Sequence, residues 1–297
     1  MNFFIEVLAG GLLAGVMYSL VALGFVLIYK ASGVFNYAQG SLVFVAALTF
    51  VSLLERNVNF WLALAITLVV MVVVAVLTER VVLRPLVNQP PITLFMATIG
   101  LSFVLEGLSQ MTWGAQPHGL ELGIPDVPIE WLSQKANINI SQLDLFAALV
   151  AGVLVAGLAV FFQKTRIGRA LRAVADDHQA ALAVGIPLQH IWAIVWAVAG
   201  FVALVAGLMW GARNGVQYAL TFVALKALPV LILGGFESIP GAIVGGLIIG
   251  ASEKVAEVYL GPYVGGGIES WFPYVLALAF LLVRPQGLFG EKIIDRV

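Results

Sequence analysis

No cysteine occurs in this chain of 297 residues, which excludes a disulfide framework, thiol chemistry and a cysteine metal site. Charge is scarce too. Asp, Glu, Lys and Arg make up 10% of the residues, where a soluble domain carries about 25%. The three histidines, His118, His178 and His190, are scattered without ligand spacing, so no metal site is expected. A formal net charge of −1 implies no nucleic-acid partner. The sequence has no G-x-x-x-x-G-K-[ST] loop to cradle a nucleoside triphosphate. H-E-x-x-H and G-x-S-x-G are also missing, and no nucleophile converges with a base, so an enzyme is not expected. No arginine-rich voltage-sensing helix is present either.

What fills the chain is apolar: 61% of its residues are hydrophobic, against about 45–50% in a soluble domain. Most of these side chains have no water to face, and a polytopic helical membrane protein accommodates them. A membrane-crossing helix needs roughly 20 apolar residues. Apolar runs lie at 4–29, 42–54, 60–83, 92–111, 143–162, 191–211 and 271–283, with a compound stretch at 222–259. The second run is short, so its helix is expected to begin near Tyr37. The compound stretch exceeds one crossing and breaks at 234–241, giving a short helix, a reversal and a full helix. The expectation is an all-α transmembrane bundle of eight to nine spans, with 1–297 as a single domain. The first run is read as a retained span. Glu6 stands where a signal peptide has basic residues, and the run to Ile28 is too long for a signal core.

Orientation follows from basic residues, which concentrate on the cytoplasmic side. Lys30, Arg80, Arg84, the 164–172 cluster, Arg284, Lys292 and Arg296 fall on one side, which is two thirds of the total. Arg56, Lys135, Arg213, Lys226 and Lys254 are outside or embedded. Glu55 and Glu253 are expected to offset their neighbours Arg56 and Lys254. Nine crossings put the N-terminus outside and the C-terminus inside. The loop at 113–142 holds Pro117, Pro125 and Pro128 with Glu121, Asp126 and Glu130, so it is expected to be external. Trp113 and Trp131 suit an interfacial belt.

Five groups of residues stand out. Gly11/Gly15, Gly207/Gly211, Gly241/Gly245 and Gly246/Gly250 are small-xxx-small pairs, read as close helix packing or as a sliding or dimer face. Thr98, Ser102 and Glu106, with Ser109 or Gln110, form one polar stripe on a helix. A carboxylate in hydrocarbon must be paired or wet, so Glu106 marks a pathway or else snorkels to the outer interface. Asn36 and Gln39 sit where a helix begins. They make either a capped turn, with Ser32 or Asn36 as the cap, or part of a lining. Gly234, Gly235, Ser238 and Gly241 interrupt an apolar run as a gate or a cytoplasmic turn, and the parity of spans favours the turn. The segment at 164–190 packs Lys164, Arg166, Arg169 and Arg172 ahead of Asp176 and Asp177. Leu171, Val174 and Leu182 make it amphipathic. It is expected to be a cytoplasmic docking helix, with a solvated loop as the alternative.

Four stretches resemble the permease subunits of bacterial ABC importers for branched-chain amino acids, of the LivH type. The run from Tyr18 to Tyr29 resembles the family's first core helix, and Phe35-Asn36-Tyr37-Ala38-Gln39-Gly40 is similar to its Asn-Phe-Ala-His-Gly motif. Arg84-Pro85-Leu86 with Ala97 to Ser102 matches a third block. Gly168 to Ala173, Gly185, Leu225-Lys226-Ala227, Gly234-Gly235, Ser238, Gly241-Ala242 and Arg284 to Gly290 complete the likeness in family order. Gln39 replaces the motif's histidine, and glutamine cannot titrate near neutrality.

The resemblance implies an ABC-importer permease bundle in the bacterial inner membrane, with its pathway at the interface with a second, homologous permease chain. It implies two ATPase subunits beneath, holding ATP with Mg, and a periplasmic or extracellular binding protein above. No cofactor is expected on this chain itself. Asn36, Gln39, Thr98, Ser102 and Glu106 are the candidates for the translocation path. Gly168, Arg169, Arg172, Asp176, Asp177 and Gly185 are those for ATPase coupling. The competing reading is an ion-coupled secondary transporter that uses Glu106.

Overall fold

The computed structural model describes residues 2–86, 89–176 and 178–290. Its helices are α1 (Asn2–Ser32), α2 (Gln39–Glu55), α3 (Phe60–Leu77), α4 (Pro91–Trp113), α5 (Glu130–Ala136), α6 (Gln142–Lys164), α7 (Arg166–Asp176), α8 (His178–Ala183), α9 (Leu188–Asn214), α10 (Val223–Lys226), α11 (Leu228–Gly234), α12 (Ile239–Val264) and α13 (Phe272–Val283). A π-helical turn, Thr78–Leu83, and a 3-10 turn, Arg84–Leu86, prolong α3. Further 3-10 turns, Tyr218–Phe222 and Ile268–Ser270, precede α10 and α13.

Every apolar run of the sequence is a helix. Among the described residues six are long and apolar enough to cross a membrane: α1, α3 with its continuation to Leu86, α4, α6, α9 and α12. Three shorter apolar stretches, α2, Tyr218–Gly234 and α13, accompany them, where the sequence led to an expectation of eight to nine spans. Local chemistry sets the ends. The Asn59 side chain accepts from Trp61 N at 3.0 Å and opens α3. Pro91 opens α4, where a missing N–H is harmless. The Ser238 hydroxyl accepts from Gly241 N at 3.0 Å and opens α12.

The chain divides into two compact units. The first holds the residues up to Leu23, Leu122–Ala156 and those from Ala224 onward. Here α1 meets α12 glycine to glycine. A Cβ on Gly11 would lie 2.7 Å from Gly250 O, and one on Gly15 would strike the Gly246 backbone. The other glycine pair of α12 faces α11, where a Cβ on Gly245 would lie 2.6 Å from Val230 O. The pairs therefore serve close packing, which lipid favours because tails solvate leucine as well as another helix does.

The second unit holds Gly24–Glu121 and Gly157–Val223. Its centre is α2, buried continuously from Gln39 to Val51. At about 1.5 Å per residue, a helix of this size falls short of a hydrocarbon core of about 30 Å. It is held by protein on its sides rather than by lipid. On α9, a Cβ at Gly207 would lie 2.7 Å from Val43 O, so these two helices also touch backbone to backbone. In α3 only Ala63, Thr67, Met71 and Ala75 are buried, one stripe at fourfold spacing. Its remaining apolar surface faces outward, as a lipid-facing span requires.

Candidate translocation and coupling sites

Helix α4 turns its polar side inward: Thr98, Ser102, Glu106 and Ser109 are buried with Leu94 and Leu105. Gln110, the other candidate for the end of that stripe, is exposed. Glu106 is 8% exposed and does not snorkel. The Ser41 hydroxyl donates to its Oε1 at 2.6 Å and Ser102 donates to the same atom at 2.9 Å. Tyr218 donates to Oε2 at 3.2 Å. The two serine hydroxyls are themselves 2.7 Å apart. Among the described residues no basic side chain pairs with Glu106. Three hydroxyl dipoles from α2, α4 and the Tyr218–Phe222 turn stabilise the carboxylate instead, and hydrogen bonds to a charged group are among the stronger ones.

This cluster continues along α2 and its approach. Tyr37 N donates to Thr98 Oγ1 at 3.0 Å, tying the loop before α2 to α4. Asn36 accepts from Ala38 N at 3.1 Å and donates to Gln39 Oε1 at 3.3 Å. Gln39 Nε2 donates to Ala199 O of α9 at 3.5 Å. Asn36 and Gln39 are fully buried. Gly24 of α1 makes room for Gln39, since a Cβ there would lie 2.5 Å from its Nε2. All five path candidates are thus buried in the second unit, in three hydrogen-bonded groups: Asn36 with Gln39, Thr98 with the loop before α2, and Ser102 with Glu106. Asn36 caps the turn before α2, and the formal cap position, Ala38, has no side-chain bond. Ser32 lies within α1 and donates to Ile28 O at 2.8 Å.

The basic segment forms the helical pair α7 and α8 between α6 and α9. Thr165 opens α7 by accepting from Gly168 N at 3.1 Å. Gly168 sits so close to Phe162 that a Cβ would collide with its carbonyl. Arg172 folds back and donates to Phe162 O at 2.6 Å and to Gln163 O at 3.2 Å. It thereby caps carbonyls that the end of α6 leaves unpaired. Arg169 is exposed and donates to Lys164 O at 3.4 Å.

Leu171 and Val174 are buried as the amphipathic pattern required. Leu182 is not: it is 53% exposed, and Ala181 takes the inner position. Gly185, at φ +84°, closes α8. Its N–H bonds Leu182 O and the N–H of Ile186 bonds Ala181 O, the paired caps of a left-handed helix stop. Asp176 ends α7. Asp177, Lys292 and Arg296 lie outside the described residues.

The break before α12 is a tight turn. Gly234 and Gly241 press backbone to backbone, and Ser238 N bonds Gly235 O at 3.2 Å. The segment after α13 seals it, with Leu288 N donating to Leu233 O at 2.8 Å and Phe289 N to Gly234 O at 3.2 Å.

A family model described as branched-chain amino acid transport system / permease component matches residues 7–284. The chain belongs to this family. Among its curated relatives is the high-affinity branched-chain amino acid transport system permease protein LivH of Escherichia coli (strain K12). That protein is 28% identical over 306 residues, covering 99% of this chain and 98% of the relative. BraD of Pseudomonas aeruginosa, with the same description, is 27% identical, with 99% and 98% covered. A probable LivH of Methanocaldococcus jannaschii is 28% identical, with 96% and 92% covered.

The permease is thus a multi-pass membrane transport subunit of the ABC-importer class, and the ion-coupled carrier reading of Glu106 falls away. Sequence reasoning missed two of the three donors to Glu106, Ser41 and Tyr218. Ser41 lies two residues beyond Gln39, in the first turn of the same helix, which was the available signal. Two expected charge offsets also prove different. Glu55 pairs with His118 Nδ1 at 2.8 Å, not with Arg56. Glu253 pairs with Lys226 at 3.1 Å, while Lys254 pairs with Glu269 at 2.9 Å. Adjacent residues on a helix diverge, so neighbours in sequence are poor partners.

Proposed function

We propose that this permease carries branched-chain or other hydrophobic amino acids into a bacterial cell across the cytoplasmic membrane. It works as one half of a heterodimer with a second, homologous permease. Two ATPase subunits holding ATP with Mg drive it from the cytoplasm, and an external binding protein delivers the solute. The observation that carries this reading is the family match across 7–284, together with relatives whose names give branched-chain amino acid transport. The sequence supports it by lacking a nucleotide loop of its own. The basic α7–α8 pair supplies a folded surface between two spans on which the ATPase subunits dock. Transport is physical translocation, with no bond made or broken on this chain.

The test is reconstitution. In liposomes, the assembled complex should take up leucine only with ATP and the binding protein. Uptake by the permease alone under an ion gradient would overturn the proposal.

A further inference from the structure

Two buried carboxylates lie outside the Glu106 cluster: Glu79, paired with Arg84 at 3.0 Å, and Glu253. In the first unit, Glu253 of α12 is 1% exposed. It lies 14 residues past Ile239 and 11 before Val264 (253 − 239 and 264 − 253), near the middle of a membrane-crossing helix. Its Oε1 accepts from Lys226 Nζ at 3.1 Å and from the Tyr18 hydroxyl at 3.1 Å. Its Oε2 is buried and has no hydrogen-bond partner among the described residues. Lys226 is one-third exposed and stands where α10 ends, two residues before α11 begins, with its ammonium 6.0 Å from the centre of the Tyr18 ring. An ammonium offers three donors, and one of Lys226's is committed to Glu253. Irregular backbone at membrane depth persists where it is held by protein or lines a cavity. Ionisable side chains at that depth mark solute pathways more often than they serve as packing.

We propose that Lys226 and Glu253, with the Tyr18 hydroxyl, form a membrane-embedded station for a zwitterionic α-amino acid, whose carboxylate bonds Lys226 and whose ammonium bonds Glu253. The proposal rests on the amino-acid reading above and adds the site that recognises the zwitterion. Its logic is charge balance. Empty, the pair closes on itself and leaves no net charge in the low-dielectric interior. Occupied, four charges of alternating sign form a ring, and the net charge is again zero. With N–Cα and Cα–C bonds of about 1.5 Å, the ammonium nitrogen and nearer carboxylate oxygen of an α-amino acid lie about 3 Å apart. That spacing matches the Lys226–Glu253 pair. The unpartnered Oε2 and the other donors of Lys226 are left to bond the solute's ammonium and carboxylate while the pair stays closed. A solute with one charge would leave a net charge at the site, and an uncharged one would leave both of these bonds without an ionic partner.

The test uses the complete importer in liposomes and scores leucine uptake per assembled complex. Wild-type uptake checks the amino-acid reading by itself. Two double variants then test the station: Lys226→Met with Glu253→Gln, which is neutral, and Lys226→Glu with Glu253→Lys, which keeps a pair but reverses its polarity. Replacing both members of a buried pair is tolerated far better than removing one, so both are expected to assemble. The neutral variant should lose at least tenfold in uptake, and the reversed one should show a raised KM. ATP hydrolysis stimulated by the loaded binding protein should persist in both. Wild-type uptake and KM in either assembled variant would make the pair a mere strut and overturn the station. Failure of both to assemble would do the same. If the wild-type complex moves no amino acid, it is the functional reading that fails.

Discussion

Glu106 shows how much a single side chain can organise. Its carboxylate gathers one hydroxyl each from α2, α4 and the Tyr218–Phe222 turn. Removing it without replacement takes the acceptor from two buried serine hydroxyls, which lie 2.7 Å apart and can bond only each other, while Tyr218 is exposed enough to turn to other partners. Glu106→Leu is therefore expected to lower stability by about 1–3 kcal/mol, the cost of one unsatisfied buried group, read as thermal unfolding in detergent. Glu106→Gln is the informative change, because serine and tyrosine hydroxyls can turn to accept from an amide. It should lose under about 2 kcal/mol while uptake falls at least fivefold. Wild-type KM and maximal rate in the Gln variant would reduce Glu106 to a structural node. The stripe on α4 was legible because helical periodicity aligns Thr98, Ser102 and Glu106 on one face. Its partners were not, because Tyr218 comes from 112 residues away, and sequence spacing carries no information about such pairs. The same blindness assigned Glu253 to Lys254.

At the scale of helices, the small-residue pairs and the basic segment each give a comparison with an internal control. Gly10 and Gly11 are neighbours on α1. A Cβ at Gly10 meets nothing within 4 Å, while one at Gly11 strikes the backbone of Gly250 and Ala251. Gly11→Ala is expected to destabilise by about 1–3 kcal/mol, the usual range for overpacking, and Gly10→Ala to be neutral in the same melting experiment. Equal effects at the two sites would show that α1 and α12 do not touch there. Likewise, Arg169 and Arg172 were expected to act together, yet the structure separates them. Arg172 caps the end of α6, so Arg172→Ala should lose about 1–2 kcal/mol along with coupling. Arg169 is exposed and makes one long bond. Arg169→Ala should melt within about 0.5 kcal/mol of wild type yet reduce leucine transported per ATP hydrolysed. Unchanged coupling in Arg169→Ala would remove this side chain from the ATPase contact. Charge density pointed to the segment, but which arginine is spent on its own backbone depends on how tightly the chain turns at Gly168.

For the whole molecule, composition announced a lipid-embedded helical bundle and the apolar runs located its helices. The central place of α2 was less plain, since it is too short to span alone and owes its position to burial on every side. Orientation is the property on which the coupling reading depends, and it rests on the asymmetric placement of Lys and Arg. The absence of cysteine makes it directly measurable, because any cysteine introduced is the only one present. Glu121 and Val184 are both exposed, the first in the acidic loop and the second at the end of α8. A membrane-impermeant maleimide applied to intact cells in which the outer surface is accessible should label Glu121→Cys. Val184→Cys should react only after the membrane is opened. Ten of the fifteen basic residues, those named for the inner side, oppose the reverse arrangement, and translocating clustered Lys and Arg is disfavoured by the positive-inside bias. Labelling of Val184→Cys from outside would put α7 and α8 where no ATPase can reach them. The docking role would fall with it, whatever the family resemblance.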